Sequence, residues 1–335
     1  MSRALLKAAL KRGALIAAAN WPVTFIQASA DSLFKLLVAA PVIGGVFLVA
    51  LAVGSEPSAL ISLDTRELVA TIASTLRSRP LVLTAFLLAL AVVGVGGSMF
   101  VFLVKGGTVA TLVRSDREAG PIEEPPLHIS AVVLASRFSM DEFVESARLL
   151  FPRYLRLGLM LIAVYLVSAL GFLALVATRE AATGWSVTAA ATIAFVLWIT
   201  IVNLLYLLTQ IVVATENCSV AAAARRVALF VRRELRGIAA IFLLVFALVI
   251  AATGASVLAT AALGLVAFVP FFGLAALPLQ LLAWLLRGLV FQYLGLASAG
   301  AYLRLYRGFS SAQTLGRSHS TSPLHAPGWS TRASS

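Results

Sequence analysis

The sequence predicts an all-α, polytopic membrane protein: a transmembrane bundle of about six helices in three hairpins, with amphipathic interfacial helices. The first observation is composition, because 61% of the 335 residues are apolar or aromatic and only 12% are charged, against about 25% charged in soluble domains. The second is that the apolar residues form runs of the roughly 20 residues that a spanning helix needs. The third is the alternation of basic residues between the loops. Together these observations exclude a soluble enzyme, a disordered chain and a coiled coil.

Six apolar runs predict the spans, and helix is the expected form because lipid cannot satisfy open strand edges. The runs cover residues 36–53, 81–104, 157–177, 187–214, 238–262 and roughly 271–303. Residues 238–303 could instead form three short spans, which would move the C-terminal tail to the other side of the membrane. The predicted domains are an N-terminal interfacial segment (1–30), a six-span domain (31–307) and a disordered cytoplasmic tail (308–335).

The net charge of +12 would indicate a nucleic-acid partner on a soluble domain. Here the basic residues follow the spans instead. From the N-terminal segment onward, the Lys and Arg counts between spans are five, three, seven, one, five, none and four. Because cytoplasmic loops carry the excess of Lys and Arg, this alternation predicts that both termini are cytoplasmic. It also removes the reason to expect nucleic acid.

Residues 1–30 begin with basic side chains that predict an amphipathic helix at the membrane surface. Arg3, Lys7 and Lys11 repeat every four residues on one side, and small or aliphatic residues occupy another. A signal peptide that ends at the small residues 28–30 is the alternative. Cleavage there would place the new N-terminus outside and invert the charge pattern of all six spans, so the interfacial helix is the favoured interpretation.

Two cytoplasmic stretches, 141–150 and 221–235, have the apolar spacing of amphipathic helices. The first places Phe143, Ala147 and Leu150 along one side. The second carries two pairs of arginines that we expect to contact an anionic inner leaflet, each contributing roughly 1 kcal/mol near the surface. These candidate lipid contacts are Arg225, Arg226, Arg232 and Arg233.

Arg287 is the one charge within the body of a predicted span. A buried Arg costs at least about 2.5–3.5 kcal/mol on insertion scales, so it needs a partner. Gln280 and Arg287 fall on one helix face, and Asn203, Tyr206 and Gln210 share a face of the fourth span. One hypothesis joins these five residues into a polar seam that binds an anion such as a lipid phosphate. The alternative is that Arg287 caps free carbonyl groups or snorkels outward.

The sequence predicts no catalytic residue, no cofactor and no metal site. All fourteen acids fall in loops or at span ends, and the phosphate-binding, zinc-protease and hydrolase motifs are absent. Cys218 is the only cysteine, which excludes an intrachain disulfide and a metal cluster built on cysteines. His319 and His325 lie in the predicted tail, so we expect them to be solvated.

The segment that leads into the fifth span resembles a bacterial membrane family. Residues 215–220, Thr-Glu-Asn-Cys-Ser-Val, are followed by Arg226 and the basic stretch 232–237. An acid at the end of a span, here Glu216, followed by a small residue and an Ala- and Arg-containing helix, is similar to the six-helix membrane domain of some glycerophosphodiester phosphodiesterases. That domain also occurs as stand-alone proteins. The likeness covers residues 195–305 best, and without a phosphodiesterase domain it implies architecture and not that activity.

We therefore expect an integral protein of a bacterial inner membrane without enzymatic activity. Its expected partners are the anionic inner leaflet and either another protein or a second copy of itself. The alternative is a small transporter or lipid-handling permease built on the polar seam around Arg287. A lipid-sized cavity lined by the seam would favour the permease, and a closed bundle would favour the accessory protein.

Overall fold

The computed structural model describes residues 3–53, 67, 74, 78–124, 129–179, 185–267 and 273–320. This part of the chain forms eight α-helices and contains no β-strand. The all-α class predicted from the sequence is confirmed. In chain order the helices are α1 (Arg3–Ala19), α2 (Trp21–Val53), α3 (Pro80–Glu118), α4 (Ile129–Ala135), α5 (Met140–Arg179), α6 (Trp185–Glu216), α7 (Val220–Ala267) and α8 (Gly273–Ser320).

Six of these helices, namely α2, α3 and α5–α8, are long and apolar enough to cross a membrane. Consecutive members pack as the pairs α2–α3, α5–α6 and α7–α8. In the second pair, the rings of Phe172 and Phe195 stack with centroids 4.6 Å apart, and Trp198 Nε1 donates to Ser168 Oγ at 2.9 Å. Residues 238–303 contribute to two long helices and not to three short spans, so the described chain contains six candidate spans.

Buried side chains are concentrated at one end of this bundle. Every buried hydrophobic residue among those described falls within residues 9–30, 102–157, 206–241 or 296–309. In contrast, at most 17% of the residues are buried in the apolar 18-residue stretch of each long helix. We call the packed end the basic half and the remainder of the six long helices the apolar half. So much exposed apolar surface is not compatible with water, so the apolar half uses lipid as its solvent.

The predicted amphipathic stretches are the basic-half ends of longer helices. Phe143, Ala147 and Leu150 are buried on one side of α5, as expected, but α5 continues from them directly into its span. The same holds for α7, in which the backbone departs from helical geometry at Glu234 (φ −112°, ψ 24°). Because each amphipathic segment continues as a span, the spans begin from a fixed, packed position.

Helix α1 packs closely against α8. Ile16 and Ala17 are fully buried, and a Cβ atom on Gly13 would lie 2.3 Å from the carbonyl oxygen of Ala297. A Cβ on Gly300 would lie 2.8 Å from the Gly13 Cα. Small residues around 297–300 therefore allow the two helices to approach closely. The basic repeat in residues 1–30 predicts a helix at the membrane surface and gives no indication of this contact.

Two boundaries in the structure differ from the sequence-based division. The first helix ends at Ala19, so residues 21–30 belong to α2 and not to the N-terminal helix. At the other end, α8 continues to Ser320, past the predicted start of the disordered tail at residue 308. Phe309 explains part of this extension, because its ring packs 5.3 Å from that of Phe230 on α7. Residues 321–335 lie outside the described part of the chain.

Candidate functional site

The turn between α6 and α7 is held by side chains from α3 and α5. Asn217 adopts a left-handed conformation (φ 49°), which Asn tolerates better than most residues. Arg153 of α5 donates to the Asn217 Oδ1 atom, and Arg117 of α3 donates to the Thr215 carbonyl oxygen at 3.0 Å. At the start of α7, the Ala222 backbone N–H donates to Ser219 Oγ at 3.4 Å.

Glu216 is the acidic residue of this turn, and both of its carboxylate oxygens have partners. Tyr306 Oη of α8 donates to Oε1, and Arg226 of α7 forms an ion pair with Oε2. The carboxylate side chain is 17% exposed, whereas the Arg226 side chain is 49% exposed. The acid therefore joins α6, α7 and α8 and positions the first basic pair of α7.

A cleft of 720 Å³ opens beside Glu216, between α7 and the end of α8. Its walls include Arg225, Arg226, Tyr306 and Phe309. Arg226 is paired with Glu216, but in the described part of the chain Arg225 forms no ion pair. The cleft thus presents one guanidinium without an ion-pair partner, a group that favours anions such as phosphate.

The four predicted lipid contacts all lie on exposed positions of α7. Arg232 lies seven residues after Arg225, and Arg233 lies seven residues after Arg226. Because seven residues are almost two helical turns, the later arginine points in nearly the same direction from the helix axis as the earlier one. The opposite side of this segment carries Ala223, Val227 and Phe230, which are at most 3% exposed. We call the four arginines the basic face of α7. Its position is fixed because the apolar side is part of the core.

The five residues of the predicted polar seam do not line one cavity. Gln280 and Arg287 face a cleft between α7 and α8. Asn203 lines a smaller cleft of 230 Å³ and accepts a hydrogen bond from Tyr165 Oη. Tyr206 and Gln210 are buried in the basic half, where the Lys105 Nζ atom lies 5.4 Å from the centre of the Tyr206 ring. The structure thus brings Gln280 and Arg287 together and leaves the other three apart from them.

Sequence reasoning missed the densest cluster of charges in the described residues. Arg12 of α1 contacts both Asp116 at the end of α3 and Glu123 just beyond it, each at 2.5 Å. Two arginines of α8 contact the same acids, since Arg307 pairs with Asp116 and Arg304 lies 3.1 Å from Glu123. We call these five residues the ion network. Each carboxylate contacts one arginine from α1 and one from α8, so the network connects three helices.

Burial makes the ion network a structural element. The side chains of Asp116, Arg12 and Glu123 are 1%, 6% and 7% exposed. Burial would raise the pKa of Glu123, but the pKa lies below its ordinary value because its own backbone N–H, Arg12 and Arg304 all favour the carboxylate. Burial likewise opposes the charge of Arg12, yet Asp116 and Glu123 raise its pKa above the ordinary value. Arg12 and Glu123 are therefore charged near neutral pH.

The chain itself contained one signal for this network. Arg12 directly follows the four-residue repeat of Arg3, Lys7 and Lys11 but lies outside it. An arginine outside the basic side of an amphipathic helix needs a separate partner. The repeat alone does not identify that partner, because Asp116 lies 104 residues away.

Acidic and sulfur-containing side chains, such as those near the turn between α6 and α7, could serve as metal ligands or nucleophiles. Among the described residues, no three His, Cys, Asp or Glu side chains are grouped closely enough to hold a metal ion. Burial raises the pKa of the Cys218 thiol, which disfavours the reactive thiolate.

Comparison of the chain with protein-family models, curated proteins and solved structures gave no match. The resemblance of residues 195–305 to a phosphodiesterase membrane domain stays a prediction.

Proposed function

We propose that this integral membrane protein is a non-enzymatic interaction or accessory protein of a bacterial inner membrane. In this proposal both termini and the basic half lie on the cytoplasmic side. The observation that carries the proposal is the basic face of α7, which is exposed while the other side of the same helix is fixed in the core. A rigid, cationic surface beside the membrane attracts anionic headgroups, at roughly 1 kcal/mol for each basic residue.

The same surface suits a protein partner with acidic side chains, or a second copy of the chain. The cleft beside Glu216 continues from Arg225 and Arg226 of the basic face, and Arg is enriched at protein interfaces. Lipid is the primary partner in this proposal because it is present around every copy of the protein.

The proposal is tested with the full chain in nanodiscs that contain phosphatidylglycerol and phosphatidylcholine. One variant replaces all four arginines of the basic face with glutamine, and its association with spin-labelled phosphatidylglycerol is measured by electron paramagnetic resonance. We expect the preference for the anionic lipid to fall toward that for the neutral lipid. Raising the salt from about 0.1 M to about 1 M should weaken the wild-type preference in the same direction, because salt screens exposed charges.

The matched control replaces four other exposed basic residues with glutamine. They are Lys7, Arg137, Arg148 and Arg156. This control removes the same net charge from the basic half but leaves the basic face of α7 intact. A preference that falls equally in both variants, or in neither, would overturn the assignment to α7.

A small lipid-handling permease is the second candidate, and one observation favours it. The cleft beside Gln280 and Arg287 has a volume of 650 Å³, within the range of about 300–1,000 Å³ typical of ligand sites. Lipid translocation between leaflets of reconstituted vesicles, measured with a fluorescent phospholipid, tests this candidate. Wild-type translocation no faster than in protein-free vesicles would contradict it.

A further inference from the structure

A second cleft meets the one beside Gln280, and the two share one wall. This second cleft lies where α2, α7 and α8 meet and has a volume of 570 Å³. Its polar lining includes Asp31 and Lys35 from α2 and Arg287 and Gln292 from α8. Trp284, Arg287 and Phe291 line both clefts, so Arg287 stands at the boundary between them.

The two clefts have opposite chemical character. The α2–α7–α8 cleft has a charged and polar lining. The cleft between α7 and α8 is lined mainly by apolar residues, five of them small, and the small residues leave a groove between the two helices. The small residues are Ala252, Ala255, Ala259, Gly264 and Ala283. A polar pocket continued by an apolar groove matches the two parts of a phospholipid, which has a charged headgroup and acyl chains.

The charges select the kind of headgroup. Asp31 and Lys35 form an ion pair at 2.7 Å on one face of α2, so their charges largely cancel. Arg287 forms no ion pair among the described residues, and its guanidinium lies 5.6 Å from the centre of the Phe291 ring. The pocket therefore has one excess positive charge. A guanidinium within a span needs a counter-charge, and its planar donors match a phosphate bidentately.

We propose that Arg287 and Lys35 bind the phosphate of an anionic phospholipid whose acyl chain occupies the groove between α7 and α8. The site is separate from the basic face of α7 and does not depend on it. It deepens the second candidate function by naming a ligand. Only the translocation of that lipid, and not its binding, rests on the permease candidate.

The experiment measures lipid that stays bound to the full chain in native mass spectra, after release from nanodiscs that contain phosphatidylglycerol and phosphatidylcholine. Arg287→Gln removes the unpaired charge, and its matched control is Arg156→Gln, an exposed arginine before another span. Ala283→Phe fills the groove without changing a charge, and its control is Ala247→Phe, an exposed residue of α7 outside both clefts. Lys35→Gln tests the second cation.

We expect Arg287→Gln and Lys35→Gln each to reduce retained phosphatidylglycerol about fivefold, the effect of one basic residue near the membrane surface. Ala283→Phe should lower it as well, whereas both controls and the four-glutamine variant of the basic face should retain it. That last variant separates this site from the proposed function, because each can fail without the other.

Two results would overturn the proposal. Equal losses in the controls would mean that the retained lipid is the general lipid shell around the protein. A loss with Arg287→Gln but not with Ala283→Phe, accompanied by competition from free glycerol phosphate, would mean that the site binds a soluble phosphate and not a lipid. Thermal unfolding of each purified variant identifies a loss that is due to misfolding, and a second groove variant, Ala259→Phe, then replaces an unstable Ala283→Phe.

Discussion

Arg12 shows how one buried charge can determine the position of a whole helix. Its guanidinium donates to Asp116 and Glu123 and also to the backbone oxygens of Asp116 and Gly120. A buried carboxylate that loses its partner keeps its desolvation cost, so removing one member of such a pair is expensive. The three-helix contact therefore depends more on Arg12 than on Lys7, an exposed basic residue of α1.

Replacing Arg12 with methionine should lower the free energy of unfolding by about 3 kcal/mol, the lower end of the range for breaking a buried pair. The lower end applies because Asp116 and Glu123 keep Arg307 and Arg304 as partners. Equilibrium denaturation in detergent micelles measures the change. The exposed Arg148→Met serves as control and should change the value by about 0.5 kcal/mol or less. Equal losses in the two variants would contradict a special role for Arg12.

Glu123 makes stability depend on pH in a defined direction. Its folded-state pKa lies below the ordinary value of 4.5, so the unfolded chain binds its proton more readily than the folded one does. The stabilisation is then present above pH 4.5 and is lost as the pH falls through the folded pKa. Unfolding measured from about pH 6 down to about pH 3 should show this loss in the wild type. Glu123→Gln should lack this acid-induced loss of stability. Identical pH profiles for the wild type and the variant would refute the assignment to Glu123.

At the scale of the element, α1 and α8 are held together by backbone proximity as well as by charge. Gly13 and Gly300 meet where the helices cross, and Tyr293 Oη donates to the Ala14 carbonyl oxygen at 3.2 Å. The small residues of α8 can be read from the sequence, but their partner cannot. Periodicity can show that a helix side is suited to close contact, but it carries no information on which distant helix supplies the contact.

Gly13→Ala tests this crossing. The new methyl group would lie 2.3 Å from the Ala297 carbonyl oxygen and 2.6 Å from the Ala301 nitrogen. Backbone atoms cannot rotate away, so α1 must shift, at a cost of about 1–3 kcal/mol. That cost should exceed the gain of about 1 kcal/mol from the better helix propensity of alanine. The unfolding free energy is the measurement.

The control for the crossing is Gly94→Ala in α3, where the added Cβ meets no described atom within 4 Å. This substitution should leave stability unchanged or raise it. Should Gly13→Ala prove as stable as Gly94→Ala, the close contact between α1 and α8 would be wrong.

At the scale of the whole molecule, sequence predicts the division into spans better than the packing between them. Six apolar runs identified six long helices, because hydropathy depends only on composition along the chain. Phe143, Ala147 and Leu150 showed their buried side in the same way. The polar seam required Asn203 and Arg287 to meet across helices, and the structure places them in different clefts. Local pattern does not determine how helices rotate against each other.

The packing of α1 on α8 also bears on topology. The contact between Gly13 and Ala301 places α1 beside the C-terminal end of α8, at the same end of the bundle, which agrees with an even number of spans. We expect a reporter fused after Ser335 to be active if it requires the cytoplasm and inactive if it requires export. The opposite pattern would reverse the orientation, and with it the leaflet that the basic face of α7 can reach.

The contact between the first and last described helices has a consequence for the timing of synthesis. A ribosome delivers the N-terminus first, so α1 emerges when its docking surface on α8 has not yet been translated. Asp116 and Glu123 follow with the first hairpin and can receive Arg12, but Arg304 and Arg307 come only at the end. Until then the Gly13 side of α1 has no cover from α8. Closure of this contact therefore requires that all six long helices in the described part of the chain have already been made.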